Sequence, residues 1–261
     1  MCFCAHDGCH IPTAVVGGNI FIYGETMPPT ARPEDLLPPF ETVQLRQELV
    51  RFLDTQVADP ISGLQVRLGN YKYGVYAFFD YDGEPIYVGQ TNERLRTRIR
   101  RHLTNQRTDA VAMKVLDPFE VYEIEVWPLP QYQGRPESDA EAKRHLNWLE
   151  YDIFQFQLAK STFTAVLNEV DPAPVPQNGF ERPASFRGRI VSDEVYQTRC
   201  HPDTRLARRS ETLAALAKII SERQVQKGLR KTLLTQARRL AWLADIRFQQ
   251  MSGVSVPTEE T

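Results

Sequence analysis

Residues 73–79 are rich in aromatic and β-branched side chains, as a strand should be. Asp82-Gly83 then supplies a tight-turn signal, because glycine accepts positive φ. Residues 85–89 read as the return strand of a hairpin. Residues 119–127, with β-branched Val121, Ile124 and Val126, read as a third strand. Between hairpin and third strand, residues 91–104 have the pattern of a helix. Farther on, Ser138-Asp139-Ala140-Glu141 has a capping-box pattern. Leu146, Leu149, Ile153 and Phe154 or Phe156 follow at helical spacing, which predicts a helix over residues 138–160. The pattern is that of an α+β fold, a small three-stranded antiparallel sheet flanked by helices.

The flanks read differently. Residues 1–70 form an N-terminal extension: a strand-like run at 11–24 broken by Gly17-Gly18, a proline-rich and acidic linker at 27–39, and an amphipathic helix at 41–54. Residues 60–70 read as a loop or short strand leading into the hairpin. The core is expected over residues 71–170. Pro172, Pro174, Pro176 and Pro183 make 171–202 an extended segment wrapping the surface. Two helices are expected within 203–250, at 206–226 and 229–248, with Gly228 marking the break and a disordered tail at 251–261. This helical hairpin is suited to packing on the core, to binding DNA or to forming a dimer seam, and the sequence does not separate the three.

No apolar run approaches the roughly 18 residues that span a bilayer. Residues 1–10 lack the basic segment and apolar core of a signal peptide, so no membrane partner and a cytoplasmic location are expected. A net charge of −2 does not by itself point to nucleic acid. Its distribution does, because residues 181–247 carry 15 Lys and Arg against 7 Asp and Glu, which reads as an electrostatic footprint for phosphate. Cys2, Cys4, Cys9 and His10 crowd the start with zinc-type donors, and Cys200-His201 lies far along the chain. The spacing is not that of a standard finger, so free thiols in a mobile N-terminus are favoured over zinc.

The candidate chemistry centres on the hairpin. Gly74-Val75-Tyr76 and Tyr87-Val88-Gly89 place a tyrosine on each arm, and Arg94, Arg96, Arg98, Arg100 and Arg101 follow at once. Hydroxyls held on a rigid sheet beside guanidiniums suit a phosphodiester better than a small neutral substrate. Glu150 sits inside the apolar stripe of the later helix, where a carboxylate is costly without a cation or other partner.

The two triplets resemble those that give the GIY-YIG nuclease superfamily its name, with valine in place of isoleucine in each. Arg98 occupies the position of the family's helix arginine. His102, four residues on and on the same helix face, resembles the histidine of the restriction-enzyme branch. The resemblance implies that Tyr76 is the general base or positions the water, assisted by His102. It also implies that Tyr87 orients the phosphate or water, and that Arg98 clamps the nonbridging oxygens. Arg94, Arg96, Arg100 and Arg101 would bind the DNA backbone. The family binds its metal through one glutamate on a later helix, and Glu150 fits that role for a single Mg²⁺ or similar hard cation; the rival, Glu141, is explained by capping. Asn168, in Ala165-Val166-Leu167-Asn168, resembles the asparagine that closes the nuclease core, although residues 159–163 lengthen the interval from Glu150.

Asn178-Gly179-Phe180, Gly188-Arg189 and His201-Pro202 are similar to the C-terminal segment of type II restriction endonucleases of this superfamily. The expected activity is therefore metal-dependent, sequence-specific cleavage of double-stranded DNA by a homodimer. A structure-specific or repair nuclease is the alternative, followed by a catalytically silent DNA-binding module.

Overall fold

A computed structural model describes residues 40–104, 115–222 and 227–252. The expectations for residues 1–39, the Cys2/Cys4/Cys9/His10 cluster among them, and for the tail beyond residue 252 lie outside the described residues. The expected amphipathic helix is α1 (Phe40–Leu53), which buries Leu45, Leu49, Phe52 and Leu53. It leads into a small antiparallel ribbon of β1 (Gln56–Ala58) and β2 (Gln65–Arg67). Next come the hairpin strands β3 (Gly74–Phe79) and β4 (Pro85–Thr91), helix α2 (Leu95–Thr104) and strand β5 (Glu123–Pro128). They are followed by α3 (Ala140–Lys160), β6 (Phe186–Arg189) and α4 (Asp193–Arg199). Two long helices, α5 (Pro202–Glu222) and α6 (Lys227–Met251), complete the described chain. Among the described residues no helix is long and apolar enough to cross a membrane.

The main sheet is antiparallel throughout, in the order β4-β3-β5-β6. It has one strand more than the sequence pattern suggests. The extra strand, β6, and helix α4 both lie within residues 171–202, so that segment is not extended throughout. In Phe-Arg-Gly-Arg the strand signal is hidden. Arg187 pairs with Glu123 on the neighbouring strand at 2.6 Å and lays its guanidinium 3.8 Å from the centre of the Phe79 ring. Gly188 lets Phe52 of α1 approach so closely that a Cβ there would stand 2.8 Å from the Phe52 ring.

Alternation along the strands separates two apolar layers. Tyr76, Phe78, Ile124 and Val126 face α1 and α2, joining Leu49, Leu53, Leu95 and Ile99. Val75, Ala77, Phe79 and Val88 face α3, joining Leu146, Leu149, Ile153 and Phe154. Capping begins α3 one residue later than the pattern suggests, with the Asp139 side chain accepting from Ala142 N at 2.9 Å. At its far end, Ser161 and Thr162 donate to the buried Glu84 carboxylate, which ties the following turn to the hairpin.

The C-terminal helices bury polar as well as apolar side chains, with Leu216, Ile220, Leu229 and Leu243 among the latter. Helix α5 buries Arg205, Arg209 and Thr212, and α6 buries Thr232, Thr235, Gln236 and Arg239. Asp80, at the hairpin turn, receives Arg209 and Arg239 on one carboxylate oxygen, each at 2.8 Å, while its other oxygen accepts from the backbone of Asp82 and Glu84. Burial opposes ionisation of Asp80, but the two guanidiniums outweigh it and hold its carboxyl below the usual carboxylate range. Arg209 also reaches Glu120 at 2.8 Å, Arg205 pairs with Asp82, and Arg208 pairs with Asp117 at 2.8 Å. Much of the positive charge in this region therefore pairs with carboxylates of the core, leaving fewer cations free for phosphate than the count suggests. Gly228 does not break a helix. It lies in the first turn of α6, where a Cβ would collide with the Glu169 carbonyl oxygen.

Candidate active site

The hairpin register fixes the tyrosines. Tyr76 lies opposite Gly89 and Phe78 lies opposite Tyr87, so both phenols emerge on the face covered by α2. Their rings stack with centroids 6.3 Å apart. Gly89 makes this arrangement fit, since a Cβ there would stand 2.8 Å from the Tyr76 Cζ and hydroxyl oxygen. Gly74 makes room for different neighbours, since a Cβ there would meet the Trp127 carbonyl oxygen of β5 at 2.9 Å.

Helix α2 buries Leu95, Ile99, His102 and Leu103 against this face. That anchoring directs His102 onto the tyrosines, with its ring 4.5 Å from that of Tyr87 and its Nδ1 3.4 Å from the Tyr76 hydroxyl. Burial, reinforced by Arg98 and Arg101, pushes the His102 imidazole down to about 4. It is neutral at pH 7, so one ring nitrogen is a hydrogen-bond acceptor. Tyr76 is fully enclosed. Burial lifts its phenol above the ordinary value, and the neighbouring Arg98 guanidinium only partly offsets the lift. Burial raises the Tyr87 phenol too. The resting state therefore holds neutral phenols beside a neutral imidazole, in contrast to the phenolate that an arginine-rich helix would favour.

Arg98 is half-buried, and its Nε is enclosed with no hydrogen-bond partner among the described residues. An orphaned guanidinium N–H of this kind is complementary to an anionic oxygen. Arg98 lines an open pocket of about 440 Å³, together with Arg101, Lys143, Gln90, Asn92 and Asn147.

Glu150, one turn beyond the pocket-lining Asn147 on α3, does not itself line this pocket but meets Gln90 at its edge. Gln90 Nε2 donates to Glu150 Oε2 at 2.9 Å and to Asn147 Oδ1 at 3.0 Å, while Glu150 Oε1 carries no hydrogen bond among the described residues. Burial raises the Glu150 carboxyl to about 7, against the opposing pull of Gln90 and Arg98. Its charge also acts on both phenols, so Glu150 lies within electrostatic reach of Tyr76 and Tyr87. A half-satisfied carboxylate beside an amide oxygen fits a hard cation that takes its remaining oxygens from water and phosphate. No group of three or more His, Cys, Asp or Glu able to enclose a metal occurs among the described residues.

The other candidates divide. Asn168 stands at the outer edge of β4, where its amide exchanges two hydrogen bonds with the Val88 backbone at 3.1 and 2.7 Å. It extends the sheet in place of a neighbouring strand and holds the Tyr87 segment, without joining the phenol cluster. Among the expected DNA contacts, Arg94 and Arg100 are exposed. Arg101 pairs with Glu93 at the pocket wall, and Arg96 turns away to Asp54 at 2.5 Å. Glu141 is exposed and pairs with Arg135 at 2.6 Å, far from a ligand role. Gln90, Asn147 and Lys143 escaped the sequence reading. Gln90 directly follows the second triplet, and Asn147 and Lys143 precede Glu150 by one and two helical turns, which is the only signal they carried.

These features define a site for handling an anionic diester. Residues 72–141, a little over a quarter of the chain, match the GIY-YIG catalytic domain family. That match implies a nuclease of the GIY-YIG superfamily acting on DNA. No curated protein and no solved structure gives a significant match to the chain.

Proposed function

We propose that the protein is a metal-dependent endonuclease that hydrolyses double-stranded DNA at defined sequences, in the manner of type II restriction enzymes. The observation that carries this reading is the contact between the Tyr76 hydroxyl and His102 Nδ1, beside the unsatisfied Arg98 Nε. The pocket lined by Arg98, Arg101 and Lys143 receives the strand, with cations for the nonbridging oxygens and amides for the flanking sugar and phosphate.

Neutral His102 accepts the proton that Tyr76 passes on as water attacks, which spares the buried phenol from standing as a charged base. Arg98 meets the charge that develops on the phosphorus oxygens, a contribution worth on the order of 3 kcal/mol when one such donor is removed. Glu150 would hold the cation, its carboxylate oriented by Gln90. When bound, Mg²⁺ or a similar ion supplies Lewis-acid stabilisation of that charge and of the departing 3′ oxygen. Tyr87 orients the scissile phosphate. A restriction role also places the protein in the cytoplasm, where the DNA it cuts is found, and two strands call for two sites in a homodimer.

The test is cleavage of a mixed plasmid and phage DNA panel with Mg²⁺, beside Glu150→Gln. Discrete bands that vanish in the variant support the proposal. Nicking confined to branched or damaged substrates would replace it with a structure-specific nuclease. Survival of every substrate would leave a silent module.

A further inference from the structure

Helix α6 has two unlike faces. The one turned to the protein is largely polar, burying Thr232, Thr235, Gln236 and Arg239 between Leu229 and Leu243. The opposite face is apolar. Leu234, Ala237, Ala241, Ala244, Phe248 and Met251 recur at alternating spacings of three and four, the a and d positions of a heptad. Leu234 is 52% exposed, and Phe248 and Met251 are each 69% exposed. Ala241 and Ala244 are exposed as well, and Ala237 is half-buried. An amphipathic helix that buries its arginine and leaves its phenylalanine outside reverses the ordinary pattern.

We propose that this face of α6 is a two-fold interface with a second copy of the chain, the two helices running antiparallel. The stripe covers about 25 Å of helix, and it is complementary to itself in that direction alone. Antiparallel alignment sets Leu234 against the partner's Met251, the bulky Phe248 against the partner's Ala237, and Ala241 against the partner's Ala244. Large side chains then meet small ones, or each other at the two ends, and the central alanines allow close approach.

Charge agrees with size. In the same alignment the flanking position of Arg238 faces that of the partner's Asp245, and the symmetry repeats the pair. Arg238 is exposed with no ion-pair partner among the described residues, and Asp245 is exposed with only Gln249 donating to it, at 2.9 Å. A parallel pairing would instead stack Phe248 on Phe248 and set Arg238 and Asp245 opposite leucines. This interface does not depend on the chemistry proposed for the hairpin.

The test is sedimentation equilibrium on the native full chain and on surface variants, with circular dichroism as the check on folding. Native protein is expected to self-associate as a dimer, and Phe248→Glu to weaken association at least tenfold. Arg238→Asp alone should also weaken it, and Arg238→Asp combined with Asp245→Arg should restore it. That recovery reads the antiparallel register itself, which a general loss of stability does not mimic. A native monomer overturns the inference, whether residues 1–39 or solvent then cover the face. So does association that survives Phe248→Glu, or a double reversal that fails to recover.

Discussion

Gly89 and Tyr76 face each other across the β3–β4 ladder, and the Tyr76 phenol occupies the space that a side chain on Gly89 would fill. The hairpin thus carries its two tyrosines around a residue that must remain glycine for packing, since no positive φ is involved at this position. The obstructing atoms belong to two rigid aromatic rings, that of Tyr76 fully enclosed and that of Tyr87 partly buried. Gly89→Ala is therefore expected to cost about 1–3 kcal/mol of stability through overpacking. On the proposed mechanism it should reduce cleavage further than that loss explains, because the ring displaced is that of Tyr76. Denaturant unfolding and cleavage rates, both measured well below the melting temperature, separate the two effects. Native cleavage by this variant would show that the position of Tyr76 does not govern the reaction.

Glu150→Gln leaves the Gln90 contact an acceptor and removes a carboxylate whose ionisation burial disfavours. Stability is expected to be unchanged or slightly higher, DNA binding to persist, and cleavage to fall by about 100-fold or more. Mg²⁺ should raise the melting temperature of the native protein by linkage and leave that of the variant unchanged. Equal stabilisation of both proteins would remove Glu150 from the metal site.

His102 makes stability depend on pH. Its imidazole falls from an ordinary value of 6.5 to about 4 in the fold. Below pH 6.5 the unfolded chain takes up a proton that the native state refuses until about pH 4. Unfolding thus gains protons, and stability declines as pH drops through that window. The contribution is on the order of 3 kcal/mol and levels off below pH 4. His102→Gln removes this component whatever its effect at neutral pH. Urea unfolding of both proteins at several pH values between 4 and 7 should show a shallower slope for the variant, and parallel slopes would rule out a buried neutral histidine.

The hairpin and its site were readable because their signals are local. Two triplets, one Asp-Gly turn and an arginine on the next helix all fall within 30 residues of chain. Glu150 was readable because a carboxylate inside an apolar stripe is a physical anomaly wherever it occurs. In the C-terminal region charge could be counted from the sequence, but its pairing could not. The partners of Asp80 lie 129 and 159 residues away, at Arg209 and Arg239. Strand β6 was hidden for a related reason: its outward arginines answer Glu123 and Asp193, not a periodic apolar face. Gln90 carried no anomaly at all, and only its contact with Glu150 reveals it.

The same pairing argument separates arginines free to meet a phosphate from those already held by carboxylates. Asp80, Arg209, Arg239 and Glu120 are almost wholly buried. Removing one member leaves an uncompensated charge, so Arg209→Ala is expected to cost about 3–5 kcal/mol of stability. It should leave the salt dependence of DNA binding unchanged when measured below its melting temperature. Arg94→Ala and Arg100→Ala remove exposed cations, one just before α2 and one on it, with no ion-pair partner among the described residues. Each is expected to be neutral for stability within about 0.5 kcal/mol. Each should also lower the slope of log affinity against log salt by about 0.9, the value for one lost phosphate contact. The assay is binding to a fixed duplex over a range of salt concentrations in Ca²⁺, and affinity slopes that move for Arg209→Ala but not for Arg94→Ala or Arg100→Ala would transfer the DNA surface from α2 to the C-terminal helices.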